Sequence, residues 1–188
     1  MLFSNPKIQS IRIDKDLYKR CRSFLQKDRS RRYQAQDSDK DLEFDILKSI
    51  FSKNWDLRAP RNLQEEYSEI DAYLCGESIQ LKCRSDIKYL TLEDYKTTRT
   101  GEKTSWVDRS IAQYTLFVEI AYPPYLNYIL YETSDLKRLL NLLREKERSE
   151  FDEIDLIWLN KFFPNWQFSA KSISTTSDGM TSSIYKVL

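Results

Sequence analysis

The segment Glu69-Ile70-Asp71-Ala72-Tyr73-Leu74, followed by Cys75-Gly76-Glu77-Ser78 and Ile79-Gln80-Leu81-Lys82-Cys83-Arg84, constrains this chain more than any other. Side chains along a strand alternate between two faces. Ile70, Ala72 and Leu74 therefore share one face, with Glu69, Asp71 and Tyr73 on the other. In the second run Ile79, Leu81 and Cys83 lie opposite Gln80, Lys82 and Arg84. Glycine at the first central position suits a type II′ turn, so Gly76-Glu77 is expected as a two-residue turn. That register sets Leu74 against Ile79, Tyr73 against Gln80, Ala72 against Leu81 and Asp71 against Lys82. A slip by one residue would turn a polar row into the core. Cross-strand neighbours lie about 4.5–5.5 Å apart at Cβ, so the hairpin is expected to gather Asp71, Gln80 and Lys82.

A carboxylate, an amide and a lysine so placed can hold a divalent metal and an attacking water near a phosphate. The hairpin thus points to metal-dependent cleavage of nucleic acid. Composition removes other chemistries. The chain has no histidine, which excludes Ser-His-Asp and Cys-His catalysis and histidine-based zinc sites. Its three cysteines, Cys21, Cys75 and Cys83, cannot all pair, and reduced thiols in a cytoplasmic setting are expected. The net charge is only +1, so contact with nucleic acid rests on local basic patches. Arg29, Arg31 and Arg32 form one candidate patch, and Lys96, Arg99 and Lys103 another. Tyr33, Tyr95 and Trp106 lie near them in sequence and can stack on bases. No apolar run reaches bilayer length and the first residues lack a secretory pattern, so a soluble protein without a membrane partner is expected.

The remaining chain reads as alternating helices and strands. Asp14 or Asp16 caps a helix through Leu17, Cys21 and Leu25. Ser38-Asp39-Lys40-Asp41 resembles a capping box opening a second helix through Leu42, Ile46, Leu47 and Ile50. Trp55 and Leu57 begin a strand ending near Pro60. Tyr89–Leu92, Tyr114–Ile120 and Leu126–Tyr131 favour strands. Residues 96–103 read as a basic loop, as much a solvated connection as a DNA contact. Ser110–Tyr114 can also begin a helix that carries Gln113 toward the Asp71 site, but the residues after it prefer strand. Ser134-Asp135 caps a helix along Leu136, Leu139, Leu140 and Leu143. A further helix spans 152–163, residues 169–183 are Ser/Thr-rich and weakly structured, and 184–188 add an edge strand.

This order of elements resembles the core of the PD-(D/E)XK nuclease superfamily over roughly residues 38–147. The resemblance rests on Asp71 at the end of one strand region and Gln80-Leu81-Lys82 in the next, a Gln-x-Lys variant. Gln80 stands where an acid is commonest, and Ile70 stands where the proline of the name would be. The resemblance implies an α/β (α+β), restriction-endonuclease-like fold, a central mixed sheet flanked by helices. Residues 1–150 would be the nuclease domain. Residues 151–188 would be a C-terminal extension packed on the core or contacting substrate or another copy. It implies a Mg²⁺-dependent endonuclease, with Mn²⁺ as substitute, hydrolysing DNA as restriction, homing or junction-cleaving enzymes do. A homodimer or higher homo-oligomer would cut two strands. Asp71 would be the central ligand, with the Gln80 amide oxygen and the Leu81 carbonyl beside it. Glu43, on the helix and off the Leu42/Ile46 stripe, would act through water, with Glu69 in reserve. Lys82 would orient the attacking water or stabilise charge on the phosphate. Blander readings stand beside these: a cross-strand Asp71–Lys82 ion pair, a surface Glu43, and a non-catalytic DNA-binding or assembly protein that keeps the fold.

Overall fold

The computed structural model describes residues 7–26, 36–51, 55–60, 68–84, 87–88, 90–97, 100–121, 124–145, 151–163, 171–175 and 180–187. The chain is a mixed α/β protein that divides into two compact units. One contains Lys7–Ile87 and Ala112–Leu130; the other contains Lys88–Ile111 and Tyr131–Leu188. A cut at residue 150 passes through the second unit rather than between the two.

The first unit is built on a six-stranded sheet. Its strands are β1 (Gln9–Arg12), β2 (Leu57–Arg58), β3 (Ala72–Leu74), β4 (Glu77–Arg84), β7 (Tyr114–Ala121) and β8 (Tyr125–Glu132), in spatial order β1-β8-β7-β4-β3-β2. β3 runs antiparallel to β4, and β4 parallel to β7, so the sheet is mixed. Two helices accompany it: α1 (Lys15–Gln26) and α2 (Gln36–Ile50) pack on each other, and α1 also touches β7. Asp14 is the residue that caps α1. Its Oδ1 accepts from the backbone N–H groups of Asp16 at 2.9 Å and Leu17 at 2.8 Å, a contact worth about 1 kcal/mol. The second helix starts at Gln36, ahead of the expected box at Ser38. The apolar residues Leu17, Cys21, Ile46 and Leu47 of the helices are buried, as are Leu74, Ile79, Leu81 and Leu116 of the sheet. On β4 both Ile79/Leu81 and the opposite-facing Ser78/Gln80 are buried. Both faces of this central strand are therefore covered, which places a polar row inside the protein.

The second unit carries an antiparallel sheet of β5 (Leu90–Thr97), β6 (Lys103–Thr104), β9 (Lys171–Thr175) and β10 (Thr181–Val187), in order β6-β5-β10-β9. Its helices are α3 (Trp106–Arg109), α4 (Thr133–Glu145) and α5 (Glu153–Phe162). Leu136, Leu139, Leu140 and Leu143 form the expected buried stripe of α4. Asp152 caps α5 by accepting from the Asp155 N–H at 2.7 Å. Three expectations change here. The ends of the 96–103 segment are strand: Lys96 and Thr97 end β5 and pair with Thr104 and Lys103 of β6. The Ser/Thr-rich stretch supplies β9. The last strand is interior, because β10 pairs with β5 on one side and β9 on the other. Ser and Thr are β-compatible when pairing partners satisfy the backbone; β9 finds its partner in the neighbouring β10, whereas the β5 partner that makes β10 interior is too distant in sequence to be read from composition.

Candidate functional site

The hairpin forms, with its turn one residue earlier than expected. Ala72 pairs with Ile79, Tyr73 with Ser78 and Leu74 with Glu77. The central turn residues are Cys75 and Gly76, at φ 52° and 88°. Positive φ at both positions is the signature of a type I′ turn, not type II′. The register therefore shifts by two residues. A two-residue shift preserves every face and changes every partner, so it escapes any argument from alternation.

The change of partner governs the site. Lys82, expected opposite Asp71, instead pairs with Glu69, Nζ to Oε2 at 2.8 Å. The same oxygen accepts from Gln80 Nε2 at 2.7 Å. The Lys82 and Glu69 side chains are 20% and 19% exposed, and Gln80 is fully buried. Glu69 adopts φ 63°, a left-handed conformation that costs a non-glycine residue about 1 kcal/mol. The turn there carries its carboxylate back over Gln80 and Lys82. An ionised carboxylate only accepts, so the amide of Gln80 must present nitrogen to Glu69. Its oxygen then faces the Thr115 hydroxyl at 3.5 Å. Turning that oxygen into a cation ligand would set it against the Glu69 carboxylate.

Asp71 sits where β3 leaves the ladder. Its N–H still donates to the Ile79 carbonyl at 2.9 Å. Its Oδ2 accepts from the Leu81 N–H at 2.6 Å, replacing a backbone partner. Asp71 also lines a pocket of about 230 Å³ with Asp41, Glu43, Phe44, Ala59, Pro60 and Ile70. The helical Glu43 and the strand Asp71 thus meet at one cavity. Both carboxylates also act on Cys83, whose thiol is pushed up to about 12, chiefly by burial and then by the charge of Glu43, with Asp71 adding to it. On the other side of β4, Ser78 and Gln113 clamp the start of the parallel pair. The Ser78 N–H donates to Gln113 Oε1 at 2.9 Å, and the Gln113 N–H donates to Ser78 Oγ at 2.9 Å. Gln113 is outside any helix and serves this clamp. Thr115, Asp41 and Phe44 were not legible as neighbours of the hairpin, because strand pairing and helix docking bring them there.

Of the basic candidates, Lys96 and Lys103 lie in the second unit, with Lys103 Nζ 4.6 Å from the centre of the Tyr95 ring. Arg29, Arg31, Arg32, Arg99 and Tyr33 lie outside the described residues. Among the described residues no group of three or more His, Cys, Asp or Glu is gathered to hold a metal. Three carboxylates, of Asp41, Glu43 and Asp71, line the one pocket, a lining that fits Mg²⁺, which is commonly held by one or two carboxylates with water and substrate phosphate completing its shell. All three cysteines are free. No helix among the described residues is long and apolar enough to cross a membrane. No protein-family model matches the chain, and neither a curated protein nor a solved structure matches it significantly.

Proposed function

We propose that the unit carrying the Asp71 pocket is a restriction-endonuclease-like core and that the protein is a Mg²⁺-dependent endonuclease acting on DNA. One observation carries the reading: Asp71, fixed by the Leu81 N–H at 2.6 Å, shares a pocket with Glu43. A strand residue sends its N–H and C=O to the same edge, so the Leu81 carbonyl emerges beside Asp71. Asp71, Glu43 and that carbonyl would hold the ion, which supplies charge for the phosphoryl oxygen and a water of lowered pKa. The hydrogen bond from the Leu81 N–H holds the Asp71 carboxylate in one orientation. Lys82 carries three donors, so its bond to Glu69 is compatible with a contact to the phosphate. Lys96, Lys103 and the arginines at 29, 31, 32 and 99 are candidates for binding the DNA backbone, which makes affinity fall with salt.

The second reading, a DNA-binding or assembly protein without turnover, draws on the same geometry. The Lys82 ammonium is paired with a carboxylate, and the Gln80 oxygen is directed at Thr115. A supercoiled-plasmid nicking assay with Mg²⁺, Mn²⁺ and EDTA separates the two. The nuclease reading expects metal-dependent nicking that Asp71→Asn lowers by about 100-fold or more. Asn keeps an acceptor for the Leu81 N–H, so the fold is expected to survive. Binding without nicking under every metal supports the second reading, and nicking that persists undiminished in Asp71→Asn rejects the site.

A further inference from the structure

Among the described residues four strands have an outer edge: β1 and β2 in the six-stranded sheet, β6 and β9 in the four-stranded one. β2 and β6 are two residues long. β1 is four residues long and ends in Arg12. β9, Lys171-Ser172-Ile173-Ser174-Thr175, is the longest of the four, and all its residues are exposed. Such edges are normally blunted by proline, a bulge or an outward lysine. β9 contains no proline. Its lysine is turned inward, with Nζ 2.5 Å from Asp94 Oδ2 and 5.1 Å from the centre of the Tyr185 ring.

The side chain of Ile173 gives the edge a direction. Ile173 pairs with Ser183, and Lys171 with Tyr185. Directly paired residues project to the same face. Ser183 and Tyr185 are buried, so Ile173 lies on the core face of the sheet, yet it is 64% exposed. It is a core-facing apolar side chain at the margin of its sheet.

We propose that β9 pairs antiparallel with β9 of a second copy of this chain, joining two four-stranded sheets across a twofold axis at Ile173. The strand is self-complementary in this register. Ile173 meets Ile173, Ser172 meets Ser174, and Lys171 meets Thr175, so no like charges oppose each other. The two isoleucines stand side by side on the core face, about 4.5–5.5 Å apart at Cβ, each covering what the other leaves open. A C2 contact of this kind uses the same patch on both partners and closes without forming a fibre.

Sedimentation equilibrium of the full chain tests the pairing apart from any cleavage activity. A reversible dimer is expected, with Ile173→Lys weakening association by tenfold or more and Ile173→Val retaining it. Ile154→Lys, on the exposed face of α5 (Ile154 is 72% exposed), is expected to leave it unchanged. Circular dichroism confirms that each variant is folded. A wild-type chain monomeric at the highest soluble concentration overturns the proposal. So does a dimer that Ile173→Lys leaves intact, or one that Ile154→Lys dissolves instead.

Discussion

Asp94 of β5 and Asp71 beside β3 are both strand-associated carboxylates with short hydrogen bonds, and their surroundings assign them different work. The Asp94 side chain is 9% exposed, and both oxygens answer to donors. Oδ1 accepts from Arg144 Nε at 2.7 Å; Oδ2 accepts from Lys171 Nζ at 2.5 Å and Ser183 Oγ at 3.2 Å. Arg144 reaches on to Asp108 at 2.9 Å. This network ties β5, β9, β10, α3 and α4 together. Asp71 instead accepts from a peptide N–H and borders a cavity lined by two further acids, Asp41 and Glu43. A buried charge matched by cations is a fastening. In the proposed reading, a carboxylate aligned by a peptide N–H beside an acidic cavity would stand where a cation can join it.

The sharpest test of this contrast is Asp71→Asn, expected to lower nicking by about 100-fold or more while thermal unfolding stays near wild type. Asp94→Ala should do the reverse. Removing the buried partner of Arg144 and Lys171, both partly exposed, costs about 1.5–3 kcal/mol, read from denaturant unfolding, with nicking per folded molecule retained. The pH dependence should follow the same division. Burial raises the Asp94 carboxyl's pKa, but hydrogen bonds from Lys171 and Arg144 outweigh it and hold the group below its ordinary range. A depressed folded pKa gives stability that is complete above the unfolded value, about 3.9, and lost as pH falls through the folded one. Melting temperature should therefore fall on acidification below about pH 4, and Asp94→Asn should flatten that slope.

Glu69 is the intermediate case, a carboxylate paired with Lys82 but adjacent to the pocket residues. Glu69→Gln should cost only about 1 kcal/mol, as expected of a partly exposed pair, with nicking reduced far less than by Asp71→Asn. A loss as deep as that of Asp71→Asn would place Glu69 among the reacting groups and break the contrast. The smallest effect belongs to the turn that sets the register. Cys75 occupies a positive-φ position followed by Gly76, where Asn-Gly is the preferred pair. Cys75→Asn should raise stability by about 0.5 kcal/mol in the same unfolding measurement and leave nicking unchanged.

Much of this arrangement was legible from residue order. Alternation placed Glu69 and Asp71 on the polar side of one strand and Gln80 and Lys82 on that of the next; Glu69, Gln80 and Lys82 do meet, while Asp71 accepts from the Leu81 N–H instead. The leucine stripe of α4 and the cap at Asp14 were equally local. The Lys82–Glu69 pair was not, because hydrophobic matching is satisfied equally by registers two residues apart. Glu43 was singled out on the helix, but its approach to Asp71 needed the docking of α2.

The amino-acid order alone determined which face each hairpin residue occupies, which of the longer segments are helical, and which catalytic chemistries a histidine-free chain excludes. Those properties depend on side-chain type and on periods of two or 3.6 residues, which are local. Tertiary structure decided which acid holds Lys82, that Gln80 is sealed against Thr115, that β10 is interior, and that Ile173 faces a core margin. Those outcomes depend on turn conformation and on pairing between distant segments, where several arrangements bury the same apolar residues and only the packed molecule selects one.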